Sequence, residues 1–234
     1  MTKTKFLSNW KLGEIIWMLV ATLTILGLSL YWGDTPIGIV SAVTGVLCVI
    51  CTGKGSLWAY VWGLINCVLY GWISLESKFY WEVALNWIYY TPLQFYGFYC
   101  WKKYMNQKTN EVSKIKMSNK NFAIMVLGTL LGTFVLGYIS KILGGNLPFI
   151  DALSTTVSIV AMIVSIKRYT EQWILWLVVN TVSIGLWSYN LFITGGEDIA
   201  TLVMWIIYWM NALISYVKWR KESNNKKEVA ACIM

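Results

Sequence analysis

Apolar runs of about 20 residues, each long enough to carry an α-helix across a hydrocarbon layer, fill most of the chain. They lie at 14–32, 35–51, 57–75, 80–101, 121–143, 148–166, 172–193 and 199–219, with short polar joints between them. A backbone inside lipid has to satisfy its own hydrogen bonds, so such runs leave one fold class: an all-α integral membrane protein of about eight transmembrane helices. Composition agrees, since 57% of the residues are hydrophobic and 13% charged, against about a quarter charged in soluble domains.

Histidine is absent. That removes the commonest general base, the Ser-His and Cys-His nucleophile pairs and the usual nitrogen ligand of zinc. The cysteines Cys48, Cys51, Cys67, Cys100 and Cys232 lie mostly inside apolar runs, where a thiol behaves as a small hydrophobe. No Asp, Glu, Lys or Arg falls at the middle of a run, and no P-loop occurs. Proton relays need intramembrane charges and ATP hydrolysis needs a phosphate cradle, so the pattern points to passive transport and not to an enzyme. No metal or cofactor is expected.

Charge sets the orientation. Of the 19 basic residues, all but Lys78 and Lys141 fall on one side if both termini lie together. The positive-inside rule makes that side cytoplasmic. The net charge of +8 is thereby accounted for by topology and anionic lipid, without nucleic acid. Trp10, Trp32, Trp81, Trp101 and Trp219, near run ends, are expected in the interfacial belt.

The chain repeats itself. Trp62, Asn66 and Gly71 match Trp176, Asn180 and Gly185 at a displacement of 114, and Trp87, Tyr90, Trp101 and Lys102 match Trp205, Tyr208, Trp219 and Arg220 at 118. Pro36 and Pro148 open the two units. The expected organisation is an N-terminus with an extra first helix (1–34), a three-helix repeat (35–101), a cytoplasmic linker with a connecting helix (102–147), a second three-helix repeat (148–219) and a tail (220–234). One connecting helix leaves the repeats parallel, an arrangement that holds substrate near the midplane between them. Gly128 and Gly132 in the connecting helix have the GxxxG spacing of a close helix contact.

Residues three or four apart share a helix face. On that basis Trp62, Asn66 and Tyr70 form one set, Trp87, Tyr90 and Gln94 a second, Trp173, Trp176 and Asn180 a third, and Trp205 and Tyr208 a fourth. An amide left unpartnered in hydrocarbon costs about 2–7 kcal/mol, so Asn66, Gln94 and Asn180 should meet one another, water, a ligand or a neighbouring helix. Rings among amides suit a flat solute bearing hydroxyls or an amide, with stacking worth about 1–3 kcal/mol per base-like ring.

Trp62, Gly63, Asn66 and Tyr70, then Gln94, Gly97 and Trp101, then Trp173, Trp176 and Asn180 resemble the PnuC family of bacterial nicotinamide riboside transporters over about residues 35–220. The resemblance implies a fold like a full-length SWEET transporter with an added first helix, placed in the bacterial inner membrane and often assembled as a homotrimer. It implies facilitated diffusion of the riboside for NAD synthesis, trapped by a separate cytoplasmic kinase. The pyridine ring would then stack near Trp176 and Trp62, and Asn66, Asn180 and Gln94 would bind ribose hydroxyls or the carboxamide. Met162 stands where a glutamine is expected, which favours another vitamin or nucleoside, such as thiamine, riboflavin or a deoxynucleoside. A substrate-capturing subunit of a larger importer is the remaining alternative.

Overall fold

A computed structural model describes residues 9–76, 83–144, 148–193 and 199–231. In order these form α1 (Leu12–Tyr31), α2 (Pro36–Lys54), α3 (Trp58–Glu76), α4, which is π-helical over Ala84–Tyr90 and α-helical over Thr91–Lys103, a hairpin of β1 (Met105–Asn106) and β2 (Glu111–Val112), α5 (Asn119–Ile142), α6 (Pro148–Ile166), α7 (Gln172–Ile193) and α8 (Ile199–Ala231). Six helices among the described residues are long and apolar enough to cross a membrane, and α7 adds a shorter apolar stretch over Gln172–Leu186. Trp81 and Lys78 lie outside the described residues.

Local chemistry sets the helix ends. Thr35 caps α2 by accepting from Gly38 N at 3.1 Å, with Pro36 in the first turn. Gly55 ends α2 at φ 80°, a left-handed conformation that glycine adopts without steric cost. Ser118 caps α5 through Asn121 N at 3.3 Å.

Pro92, two residues past the π-helical part of α4, accounts for it. A proline has no N–H to give to Ile88 O, and its ring would crowd that carbonyl in a regular α-helix. The turn before it widens instead. Thr91 N and Thr91 Oγ1 both donate to Asn86 O, five residues back, the latter at 2.8 Å. A wider turn rotates each residue through a smaller angle, so Trp87 and Tyr90 lose the shared face that an α-helical period gives them. Tyr90 sits beside Tyr89, ring centroids 5.3 Å apart.

The contacts divide the chain into two compact units, one of residues 1–113 and 199–211, the other of 114–198 and 212–234. In the first, Met18, Ala21 and Ile25 of α1, Val46 and Ile50 of α2 and Ile207 of α8 form an apolar core. The first helix is thus built into the core. Asn211 is satisfied there, accepting from Trp17 Nε1 at 3.2 Å and donating to Val49 O at 2.8 Å.

At the end of α2, Lys54 is buried. Its Nζ meets Glu14 Oε2 at 2.6 Å, Glu111 Oε1 at 2.8 Å and Asn9 O at 2.9 Å, and lies 5.7 Å from the Trp10 ring centroid. One cation joins α1, α2 and the hairpin, and β2 adds a bond from Val112 N to Gly55 O at 2.8 Å. Charge patterning along the chain accounts for Lys54 only as a signal of membrane orientation.

In the second unit, Phe149 fills the space over Gly137 and makes edge contacts with Phe134 and Tyr138, centroids 6.3 and 5.6 Å apart. An added Cβ at Gly132 would meet the Thr156 side chain, whereas at Gly128 it would meet nothing within 4 Å. The close seam is therefore Gly132 with Gly137, not the GxxxG pair. Lys114, also buried, pairs with Glu222 at 2.5 Å and lies 5.5 Å from the Trp219 ring centroid.

Candidate functional site

The polar residues nearest to forming a site in the first unit lie on α2, α3 and α8. Asn66 of α3 donates from Nδ2 to Ser41 O at 2.8 Å, with Ser41 Oγ at 3.4 Å. Gly45, one turn beyond Ser41, lies under both Asn66 Nδ2 and the Tyr208 hydroxyl: an ideal Cβ on it would stand 3.0 Å from the former and closer to the latter. Tyr208 packs edge-on against Trp205 at 5.6 Å and 77°. Trp205 Nε1 is buried with no hydrogen-bond partner among the described residues. Buried donors are nearly always satisfied, so this N–H solicits an acceptor.

Asn66, Trp205 and Tyr208, named from their spacing, are brought together. Ser41 and Gly45 were missed. Their only sequence signal is a pair of small residues four apart on α2, which reads as ordinary helix packing.

The α4 set arrives differently. Gln94 is buried against α3, with Nε2 3.6 Å from Cys67 Sγ and its amide lying over Gly63. Trp87 lies over Gly71 and donates to Val68 O at 3.2 Å. Gly63, Cys67 and Gly71 recur every four residues, so α3 offers one groove that receives both side chains. Trp62 is half-buried, its ring 6.4 Å from that of Trp58, and Tyr70 is exposed.

In the second unit, Asn180 is 4% exposed and Trp176 half-buried. Trp173 packs edge-on against Trp219 at 5.7 Å and 79°, as Tyr60 packs against Trp101 at 5.1 Å and 87° in the first unit. Trp101 and Trp219 are both 0% exposed. They are core residues, which corrects their assignment to the interfacial belt: each terminal ring is enclosed by another aromatic ring. Met162 is buried in α6. Among the described residues no His, Cys, Asp or Glu cluster could hold a metal.

Apolar helices of spanning length that carry rings and amides define a polytopic membrane protein. Residues 35–221 match the model of the family described as nicotinamide mononucleotide transporter. The chain is similar to the nicotinamide riboside transporter PnuC of Neisseria mucosa, 36% identical over 225 residues covering 94% of this chain and 85% of the relative. It is also similar to that of Haemophilus influenzae, 30% identical over 94% of each. The crystal structure of a vitamin B3 transporter PnuC aligns with a TM-score of 0.81 at 34% identity, covering 92% of this chain and 94% of that one. The chain belongs to this family of membrane transporters.

Proposed function

We propose that the chain moves nicotinamide riboside across the bacterial inner membrane by facilitated diffusion, with a separate cytoplasmic kinase trapping the imported riboside by phosphorylation. The observation that carries this reading is the α2–α3–α8 group, where an aromatic pair, an indole N–H without a partner among the described residues and a fixed amide gather inside helices of membrane length. Rings stack on a flat heterocycle, and the polar groups bond its hydroxyls or carboxamide. The names of the relatives supply the riboside. Trp62, Tyr70, Gln94, Trp173, Trp176 and Asn180 belong to the same assignment on the strength of their spacing and of the internal repeat, and Trp87 and Tyr90 on that of the repeat alone. Both termini in the cytoplasm, eight spans, two parallel three-helix repeats as in SWEET transporters and a homotrimer complete the proposal.

Purified protein in liposomes should let radiolabelled riboside equilibrate without ATP or an ion gradient. Uptake no greater than into empty liposomes would overturn the reading. Trp176→Ala or Asn180→Ala should abolish binding while the protein still inserts and purifies, and unchanged affinity would remove those residues. The buried Met162, an apolar side chain at a place where the resemblance leads one to expect a polar one, favours a second vitamin as cargo. Competition of thiamine, riboflavin or a deoxynucleoside against riboside uptake separates the two readings.

A further inference from the structure

Asn66 is held in one orientation. A backbone carbonyl only accepts, so Ser41 O, 2.8 Å away, selects the NH2 end of the side-chain amide; the flipped amide would bring two acceptors together. Nδ2 carries two N–H groups, one on Ser41 O and the other directed at Ser41 Oγ at 3.4 Å, so the group Asn66 has left to offer is Oδ1, an acceptor.

Gly45 adds a second constraint. It lies inside α2 with ordinary helical backbone, so freedom to adopt left-handed angles does not explain a glycine there. Space does: the first carbon of any other side chain would enter the place of the Tyr208 hydroxyl and press on Asn66 Nδ2. Helix interiors disfavour glycine by about 0.5–1 kcal/mol relative to alanine, so its presence answers a need for room.

We propose that Ser41 and Gly45, one turn apart on α2, are positioning residues of the substrate site. Gly45 makes the room in which the Tyr208 hydroxyl and the Asn66 amide lie side by side, and Ser41 turns that amide so that its oxygen meets a hydrogen-bond donor on the substrate. This rests on the reading that Asn66 and Tyr208 touch the substrate, and it specifies that Asn66 recognises a hydroxyl or N–H and not an acceptor.

The test is calorimetric binding of nicotinamide riboside to purified full-length protein. Gly45→Ala should weaken binding about tenfold, the equivalent of one hydrogen bond. In a Tyr208→Phe background the same substitution should weaken it less, because the hydroxyl that the methyl displaces is gone. Wild-type affinity in Gly45→Ala, or an equal loss in both backgrounds, overturns the role of Gly45. A second measurement needs no variant of α2. Ribosides lacking one donor group at a time (2′-deoxy, 3′-deoxy, 5′-deoxy and N,N-dimethylcarboxamide forms) are compared on the wild type and on Asn66→Ala. One of them should bind the wild type about tenfold more weakly than the parent and bind Asn66→Ala as well as the parent does. If every analogue keeps its wild-type penalty in Asn66→Ala, the orientation is refuted, whether or not Gly45→Ala folds. Should the wild type bind no riboside, the carrier reading falls and the positioning roles with it; riboside binding that ignores Gly45 and Asn66 removes the positioning roles alone.

Discussion

Trp87 and Trp205 match each other at a displacement of 118 along the sequence and end in different surroundings. Trp87 stands on the π-helical part of α4, its indole laid over Gly71 with its N–H on Val68 O. Trp205 stands on regular α-helix, packs against Tyr208 and keeps a buried N–H without an acceptor among the described residues. The position matching Pro92 in α8 is Met210, which has an N–H to give, so nothing there widens the helix. With Pro92 in the helix the indole N–H of the first copy is satisfied by Val68 O, and with Met210 in its place that of the second has no acceptor among the described residues.

The helices α2 and α6 differ in the same way. Each has 19 residues and begins with proline, but α2 ends on the buried Lys54 and α6 on Ile166. The left-handed residue after each is Gly55, φ 80°, in one and Arg168, φ 64°, in the other.

Substitutions at matched positions sharpen these contrasts or break them. Lys54→Ala should have the largest effect, about 3–5 kcal/mol of stability, because it leaves Glu14 and Glu111 facing each other without their cation. Thermal unfolding of the purified protein measures it, and adding Glu14→Gln and Glu111→Gln should restore part of the loss. An unshifted transition would mean that the buried cation is dispensable. Next, Gly71→Ala collides with the Trp87 indole and should cost about 1–3 kcal/mol. At the matching Gly185 a Cβ meets nothing within 4 Å, so Gly185→Ala should be neutral or stabilise by about 0.5–1 kcal/mol. Equal shifts in the two variants would break the comparison. The smallest pair is at the turns: Gly55→Ala should cost about 1–2 kcal/mol for a left-handed alanine, and Arg168→Gly should recover about 1 kcal/mol of the same strain.

Long apolar runs and the prolines at 36 and 148 made the helices legible, since length and hydropathy leave few alternatives in lipid. Matching rings and amides made Asn66, Trp205 and Tyr208 legible as one group. Three features were not. The π-helix escaped because an α-helical period was carried through Pro92, which put Trp87 and Tyr90 on one face. Ser41 and Gly45 escaped because they act through what they leave room for and through a backbone oxygen, neither of which shows as a side-chain pattern. The burial of Lys54, Trp101 and Trp219 escaped because charge and aromaticity at a run end read as interface. Partners such as Glu111, distant in sequence, draw them inward instead.

The π-helical segment also gives α4 slack in length that α8 lacks. Seven residues there cover a path that tighter winding would span with fewer, and Ile88 within it is 76% exposed. Deletion of that one residue, combined with Pro92→Ala, would therefore be absorbed as a regular helix, re-aiming Trp87 without breaking the chain of hydrogen bonds. Removing the corresponding residue of α8 would swing every later side chain about 100° around the axis, the angle per residue of a 3.6-residue turn. Natural relatives that differ by a single gap should carry it in α4 and lack the proline.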